Sequence, residues 1–182
     1  MMYRLLGPLE VVRVASTADP AVPPSESQVD LGPRKQRAVL AVLLLNRGRV
    51  ISTDRLIDAL WQDEAPASAM ASIQAYISNL RRVLRGESGA ASPIVRQPPG
   101  YVLDIPAESV DLARFLDDAE TARRHAENGE WEFALDTADH ALDSVSSYRR
   151  TGYYPTVYTV DFDEQAGEYV VALSGLTMRE AS

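Results

Sequence analysis

Cysteine is absent from the 182 residues, so neither a disulfide framework nor a thiolate metal site is available. That excludes a stapled extracellular fold and points to a reducing cytoplasm. Histidine is nearly as scarce: the two present, His125 and His140, would need carboxylates to complete a zinc site, and no metal is expected. No stretch approaches the roughly 18 apolar residues of a membrane helix, and the opening Met1 to Val12 lacks the basic start and apolar run of a secretion signal. The expectation is a cytoplasmic protein with no membrane partner. Nucleophile elbow, P-loop and dinucleotide fingerprint are all missing, which makes an enzyme the weakest class and leaves no cofactor to expect. Lysine is almost missing too. Seventeen of the eighteen basic residues are arginine, whose planar fork suits phosphate recognition.

The net charge of −8 is unevenly distributed. Residues 1–105 carry 12 basic and 10 acidic side chains, whereas residues 106–182 carry 6 and 16, so the acidity is carboxy-terminal. Within residues 32–96 the count reverses to 10 basic against 5 acidic, an electrostatic footprint suited to a phosphate backbone.

Tyr3 to Val14 reads as two short β-branched runs broken by the turn pair Gly7-Pro8, a hairpin. A polar loop over Ala15 to Ser27, carrying Pro20, Pro23 and Pro24, leads to a third strand at Gln28 to Leu31. A helix follows over Arg34 to Asn46, apolar nearly all round and ended by Gly48. Ser52 or Thr53 can cap a second helix, Asp54 to Trp61, and an acidic loop runs from Gln62 to Ala65. Pro66 opens a third helix from about Ala67 to Leu84, with Ile73, Ile77, Leu80 and Leu84 on the core side. Its other side exposes Ser72, Gln74, Ala75, Ser78, Asn79, Arg81 and Arg82, an uncrowded polar surface fit for a groove. Ile94 to Gln97 and Tyr101 to Ile105 then form a hairpin about Pro98-Pro99-Gly100 that would project as a wing.

From Val110 the pattern changes to paired helices, Asp111 to Glu127 and Glu130 to Val145, joined at Asn128-Gly129. Leu112, Phe115, Leu116, Ala119 and Ala122 form one apolar face, and Trp131, Ala134, Leu135, Ala138, Ala141 and Leu142 the other. The unit has the length of one tetratricopeptide-type repeat, too little to bury much alone. The tail predicts strands at Thr156 to Val160 and Tyr169 to Leu173, flanking a solvated acidic turn from Asp161 to Glu168. The expected class is thus α+β. A winged helix-turn-helix with an N-terminal antiparallel sheet occupies residues 1–105, a helical pair 110–145 and a β-hairpin tail 146–182.

The segment Leu31-Gly32-Pro33-Arg34-Lys35-Gln36-Arg37 through Pro98-Pro99-Gly100-Tyr101 resembles the Streptomyces antibiotic regulatory protein family. The likeness includes the opening Tyr3 to Val11, Gly48-Arg49-Val50, Leu60-Trp61 and the run Ser78-Asn79-Leu80-Arg81-Arg82. Val110 to Phe115 looks like the start of the family's bacterial transcriptional activator domain. The resemblance implies an OmpR-type winged helix that binds direct repeats near promoters as double-stranded DNA, self-associates on them and helps recruit RNA polymerase. Carried over position by position, it makes the third helix the recognition helix: Ser72, Gln74, Ala75, Ser78 and Asn79 toward base edges, Arg81 and Arg82 near phosphates. Gln74 and Asn79 would then read adenine. Arg34, Lys35 and Arg37 would contact phosphate at the start of the first helix. Arg96, Gln97 and Tyr101 would serve the wing, and Trp61, Gln62, Asp63 and Glu64 the loop offered to polymerase. The chain departs from the family pattern at Met70, Ala71 and Asn79, where relatives carry polar or basic residues, and in the wing, where Gln97 intervenes between Arg96 and Pro98.

Two other readings stand beside this one. The acidic helical pair suits a protein-interaction adaptor, and Tyr158 to Val171 resembles the opening hairpin of HicB-like antitoxin domains, which implies a partner binder.

Overall fold

The computed structural model describes residues 1–15, 25–61, 64–85, 91–149, 159–163 and 168–172. Gly7-Pro8 turns the chain as expected, so that β1 (Met2–Arg4) pairs antiparallel with β2 (Glu10–Ala15), Tyr3 opposite Val11. The third strand, β3 (Ser25–Gln28), lies on the far side of β2 and starts three residues earlier than the sequence predicts. All four of its residues are exposed. It is held by the backbone ladder and by Arg4, whose guanidinium donates to Glu26 at 2.8 Å, so no alternation of apolar side chains announces it. Leu31, expected inside the strand, lies beyond its end and is buried in the core.

Three helices follow: α1 (Arg34–Leu45), α2 (Thr53–Trp61) and α3 (Ala69–Val83). Asn46 ends α1 and Gly48 takes the left-handed φ of 73° that the turn behind it requires. Ser52 caps α2, its hydroxyl accepting the Arg55 N–H at 3.1 Å. The helix expected from Ala67 begins two residues later, because the Pro66 carbonyl accepts the Ala69 N–H in a preceding turn. The core is made by Val39, Leu40, Leu43 and Leu44 of α1, Leu56 of α2, and Ile73, Ile77 and Leu80 of α3 with Leu84 after it. Each such side chain contributes roughly 1.5–3 kcal/mol by leaving water.

A second sheet of order β4-β6-β5 closes the core. β5 (Ile94–Gln97) and β6 (Gly100–Leu103) are the wing hairpin, with Arg96 opposite Tyr101. β4 (Ile51–Ser52), two residues long, was too short for a pattern-based reading and pairs Ile51 with Tyr101 and Ser52 with Gly100. Gly100 is obligatory there: a Cβ would sit 1.8 Å from the Ile51 carbonyl oxygen.

α4 (Asp111–Glu127) has the predicted bounds, and Gly129, at φ 78°, turns the chain into α5 (Trp131–Arg149). α5 runs four residues past the expected Val145, since Ser146-Ser147 break a helix only weakly and the next glycine is Gly152. Its apolar residues fall into two stripes rather than one face. Ala134 and Ala141 are buried, whereas Trp131, Leu135 and Leu142 are each more than half exposed, at 65, 68 and 56%. In the tail β7 (Thr159–Asp163) pairs antiparallel with β8 (Glu168–Ala172), so Asp161 to Asp163, expected in the turn, are strand residues.

The joint between α4 and the first sheet is a buried carboxylate. Asp111, at 4% exposure, accepts the backbone N–H groups of Leu5 at 2.7 Å and Leu6 at 3.2 Å, beside a parallel bridge between Tyr3 and Val110. Those amides have left their own strand and would otherwise be stranded. As the first residue of α4, Asp111 also sits where the helix dipole favours a negative charge. Burial of the adjoining Tyr3 raises its phenol to about 12, so the ring stays neutral at physiological pH.

Replacing Asp111 by Ala should cost about 3 kcal/mol, read as a fall in thermal midpoint, because one buried and one partly buried amide lose their carboxylate acceptor. An unchanged midpoint would show that the joint is unimportant. Gly100→Ala should lower stability to urea by about 3 kcal/mol through the clash with β4; a loss below about 1 kcal/mol would mean that the strand pair yields.

Candidate nucleic-acid interface

Burying Ile73, Ile77 and Leu80 turns the opposite side of α3 outward, and the wing strand β5 stands beside it. Between them lies an open groove of about 580 Å³ lined by Gln74, Ser78, Arg81, Arg82, Arg85 and Arg96, with Ile77 and Tyr101 at its floor. Four of the described lining residues are arginines, and among the described residues none is a carboxylate. Such a cleft concentrates positive potential where low-dielectric walls focus it.

The arginines are not equivalent. Arg81 is half-buried: its Nε donates to the Ile94 carbonyl at 2.9 Å, and its guanidinium lies 5.6 Å from the centre of the Tyr101 ring. It ties α3 to the wing while leaving its other N–H groups available. Arg82 is exposed on the outer face of α3, and Arg96 and Gln97 are exposed on the wing. Tyr101, expected at the surface, is 4% exposed and forms the groove floor beneath Arg81. It occupies the inward register of β6, against β4.

Gln74, Ala75 and Ser78 are exposed as expected. Ser72 is not: it is half-buried, and its hydroxyl donates to the Ser68 carbonyl at 3.1 Å. Asn79 lies toward α1, its Nδ2 donating to Gln36 Oε1 at 3.2 Å. Gln36, 3% exposed, in turn donates its Nε2 to the Leu31 carbonyl at 2.9 Å. This carboxamide was not singled out in the sequence, where it reads as one polar residue in a basic run. The signal was its place at the start of an otherwise buried helix.

Arg34, Lys35 and Arg37 are exposed on the first turn of α1, which has no acidic residue and no side-chain cap. Its first N–H groups therefore have no intrahelical partner. Lys35 is partly engaged, its ammonium 4.2 Å from the centre of the Trp61 ring. Trp61 is half-buried against the core and Glu64 is exposed, whereas Gln62 and Asp63 lie outside the described residues. Sequence reasoning also missed Arg13 of β2. It donates to the Val83 carbonyl at 2.8 Å and the Arg85 carbonyl at 3.3 Å, closing the C-terminal end of α3 from the first sheet.

Residues 26–103 match the family described as transcriptional regulatory protein, C terminal. Mycobacterium tuberculosis EmbR, a transcriptional regulatory protein, is 44% identical over 126 residues, covering 68% of this chain and 29% of EmbR. MoaR1 of Mycobacterium tuberculosis is 37% identical over 147 residues, 79% of this chain and 43% of the relative. These matches, with AfsR of Streptomyces coelicolor among them, support a SARP, AfsR-like regulator. DnrI of Streptomyces peucetius, 33% identical over 149 residues, covers 79% of the chain and 51% of its own length. The solved structure of EmbR in complex with a low affinity phosphopeptide superposes with a TM-score of 0.67 at 35% identity, over 82% of this chain and 38% of that one. The α+β winged-helix class is therefore shared with EmbR. The chain spans between about a third and a half of the length of these three regulators. Among the described residues no helix is long and apolar enough to cross a membrane.

The split between the two neighbouring arginines is measurable without DNA. Arg81→Ala should lose about 1–2 kcal/mol of thermal stability, through the Ile94 bond and the Tyr101 contact. Arg82→Ala should stay within about 0.5 kcal/mol of the parent. Equal losses would refute the tie.

Proposed function

We propose that this protein is a sequence-specific DNA-binding transcription regulator, with residues 1–105 as its DNA-binding unit. The observation that carries the reading is the groove between α3 and the wing, lined among the described residues by four arginines and no carboxylate. α3 lies in the major groove with Gln74, Ala75, Ser78 and Asn79 toward base edges, and Arg82 and Arg85 neutralise phosphates. Arg96 and Gln97 carry the wing to the flanking backbone. The bare first turn of α1, with Arg34, Lys35 and Arg37, takes a further phosphate. Ser72 and Tyr101 support this surface from behind.

Similarity to these regulators extends the reading to activation: binding to direct repeats near promoters, self-association on them and contact with RNA polymerase through the segment from Trp61 to Glu64. It acts in the cytoplasm, where the DNA is. Recognition needs no catalytic group and no cofactor. The helical pair at 110–145 follows as the start of an activator domain, fixed to the DNA-binding unit through Asp111. Nothing in the comparisons favours an antitoxin-like role for β7 and β8.

Purified protein should bind promoter fragments from its own genomic neighbourhood in the presence of non-specific competitor, with affinity falling steeply with salt. Arg82→Ala should weaken binding across sequences and lower the logarithmic salt slope by about one. Absence of competitor-resistant binding at low salt would overturn the proposal.

A further inference from the structure

The four arginines lining the groove are not placed by the same means. Arg82 belongs to the last turn of α3 and Arg96 to β5, so the helix and strand ladders set where their backbones lie. Arg81 is tied besides by its own Nε, at the Ile94 carbonyl. Arg85 has neither aid. It lies past the end of α3 at Val83, it is exposed, and among the described residues its guanidinium has no partner. Its main chain is held from elsewhere. Nη2 of Arg13 donates to the Arg85 carbonyl at 3.3 Å and to the Val83 carbonyl at 2.8 Å, across 72 and 70 residues of chain. The anchor is firm, because Arg13 stands on β2, the central strand of the first sheet, and follows Val11 and Val12, which are 0 and 4% exposed. The carbonyls at a helix end lack an intrahelical donor and carry the negative end of the dipole, which would oppose a phosphate. Arg13 sets a cation on them. The contact also has a cost within the fold: Arg13 Nε is buried without a hydrogen-bond partner among the described residues, although buried polar groups are paired as a rule. Such a locally unfavourable group is expected where position serves function.

We infer that Arg13 is a positioning residue for DNA binding: from the N-terminal sheet it fixes the main chain at Arg85, and so holds the fourth cation of the groove where it meets a phosphate. The inference rests on the DNA-binding reading above and extends it to an element outside the three helices and the wing. Arg13 meets no phosphate itself, since its terminal nitrogen is spent on two carbonyls and its Nε is buried. An arginine that grips a phosphate already loses rotamer freedom. If the main chain beneath it also had to be ordered at that moment, the contact would be worth far less. Arg13 supplies that order before DNA arrives. The N-terminal sheet is thereby part of the recognition unit, although none of its own side chains reaches the duplex in this reading.

Salt titrations of binding to a labelled duplex from the chain's own promoter region, with the full chain and its variants, test this. Arg85→Ala should weaken binding and lower the logarithmic salt slope by about one, the loss of one phosphate contact. Arg13→Met removes donor and charge but keeps a long stem. It should weaken binding by roughly threefold to tenfold and lower the slope by nearly as much as Arg85→Ala does. The double variant should bind no more weakly than Arg85→Ala alone. Arg13→Lys returns a cation with donors for the same carbonyls and should recover most of the loss. Melting curves fix a temperature at which each variant is folded; should Arg13→Met not melt cooperatively, Arg13→Gln, which keeps an amide donor, takes its place in the cycle. A helix cap of purely structural value would lower the melting temperature and leave the salt slope of the folded protein unchanged. An Arg13 that grips a phosphate directly would give losses that multiply, with the slope falling by about two in the double variant. Either result overturns the inference while leaving the DNA-binding reading intact, as does undiminished binding by Arg85→Ala. Failure of the parent chain to bind DNA in a salt-dependent manner overturns both.

Discussion

The packing of α3 along Ile73, Ile77, Leu80 and Leu84 is the constraint on which the rest depends. These side chains are 0 to 2% exposed, so rotating the helix by one residue would place polar groups in the core. That fixes which residues face outward. Everything else at the surface is arranged around a helix that cannot turn: the wing fixes one flank through Arg81, α1 fixes the other through Gln36, and Arg13 closes the end.

These three attachments differ in kind from the core that permits them. Hydrophobic burial is indifferent to direction and settles only which stripe of α3 is inside. Hydrogen bonds to carbonyls are directional, and each positions one side chain or one end of the helix. The division accounts for the mixed character of the surface between α3 and the wing. Arg82, Gln74 and Ser78 are exposed and free to adapt, whereas Arg81 and Asn79 are held.

The sequence was informative wherever a period or a breaker carried the message. The limits of α1 and α4 follow from apolar spacing and from Gly48 and Gly129, and the wing from Pro98-Pro99-Gly100. It was misleading where elements are held by backbone or charge. β3 has no buried side chain, and β4 has two residues. It was silent about contacts between residues distant along the chain. Asp111 looks like an ordinary helix opener and is instead the acceptor for amides more than a hundred residues away. For the proposed recognition surface, periodicity placed Gln74, Ala75 and Ser78 on the exposed side of α3. It did not separate Ser72 and Tyr101, turned to structural tasks, from neighbours that remain available. On α5 an apolar stripe was legible, but the small residues Ala134 and Ala141 are the buried ones, while Trp131, Leu135 and Leu142 stay exposed.

The close approach of Gly100 to β4 also divides the wing into parts that can and cannot be rewritten. Val95, Arg96 and Gln97 have side chains in solvent, whereas the next turn leads directly into a backbone passing too near for any side chain. A library meant to retarget the protein can therefore vary Val95, Arg96 and Gln97 and the outer face of α3, while Ile94 stays in the core. It should leave the returning strand untouched, since diversity introduced there would be spent on molecules that do not fold.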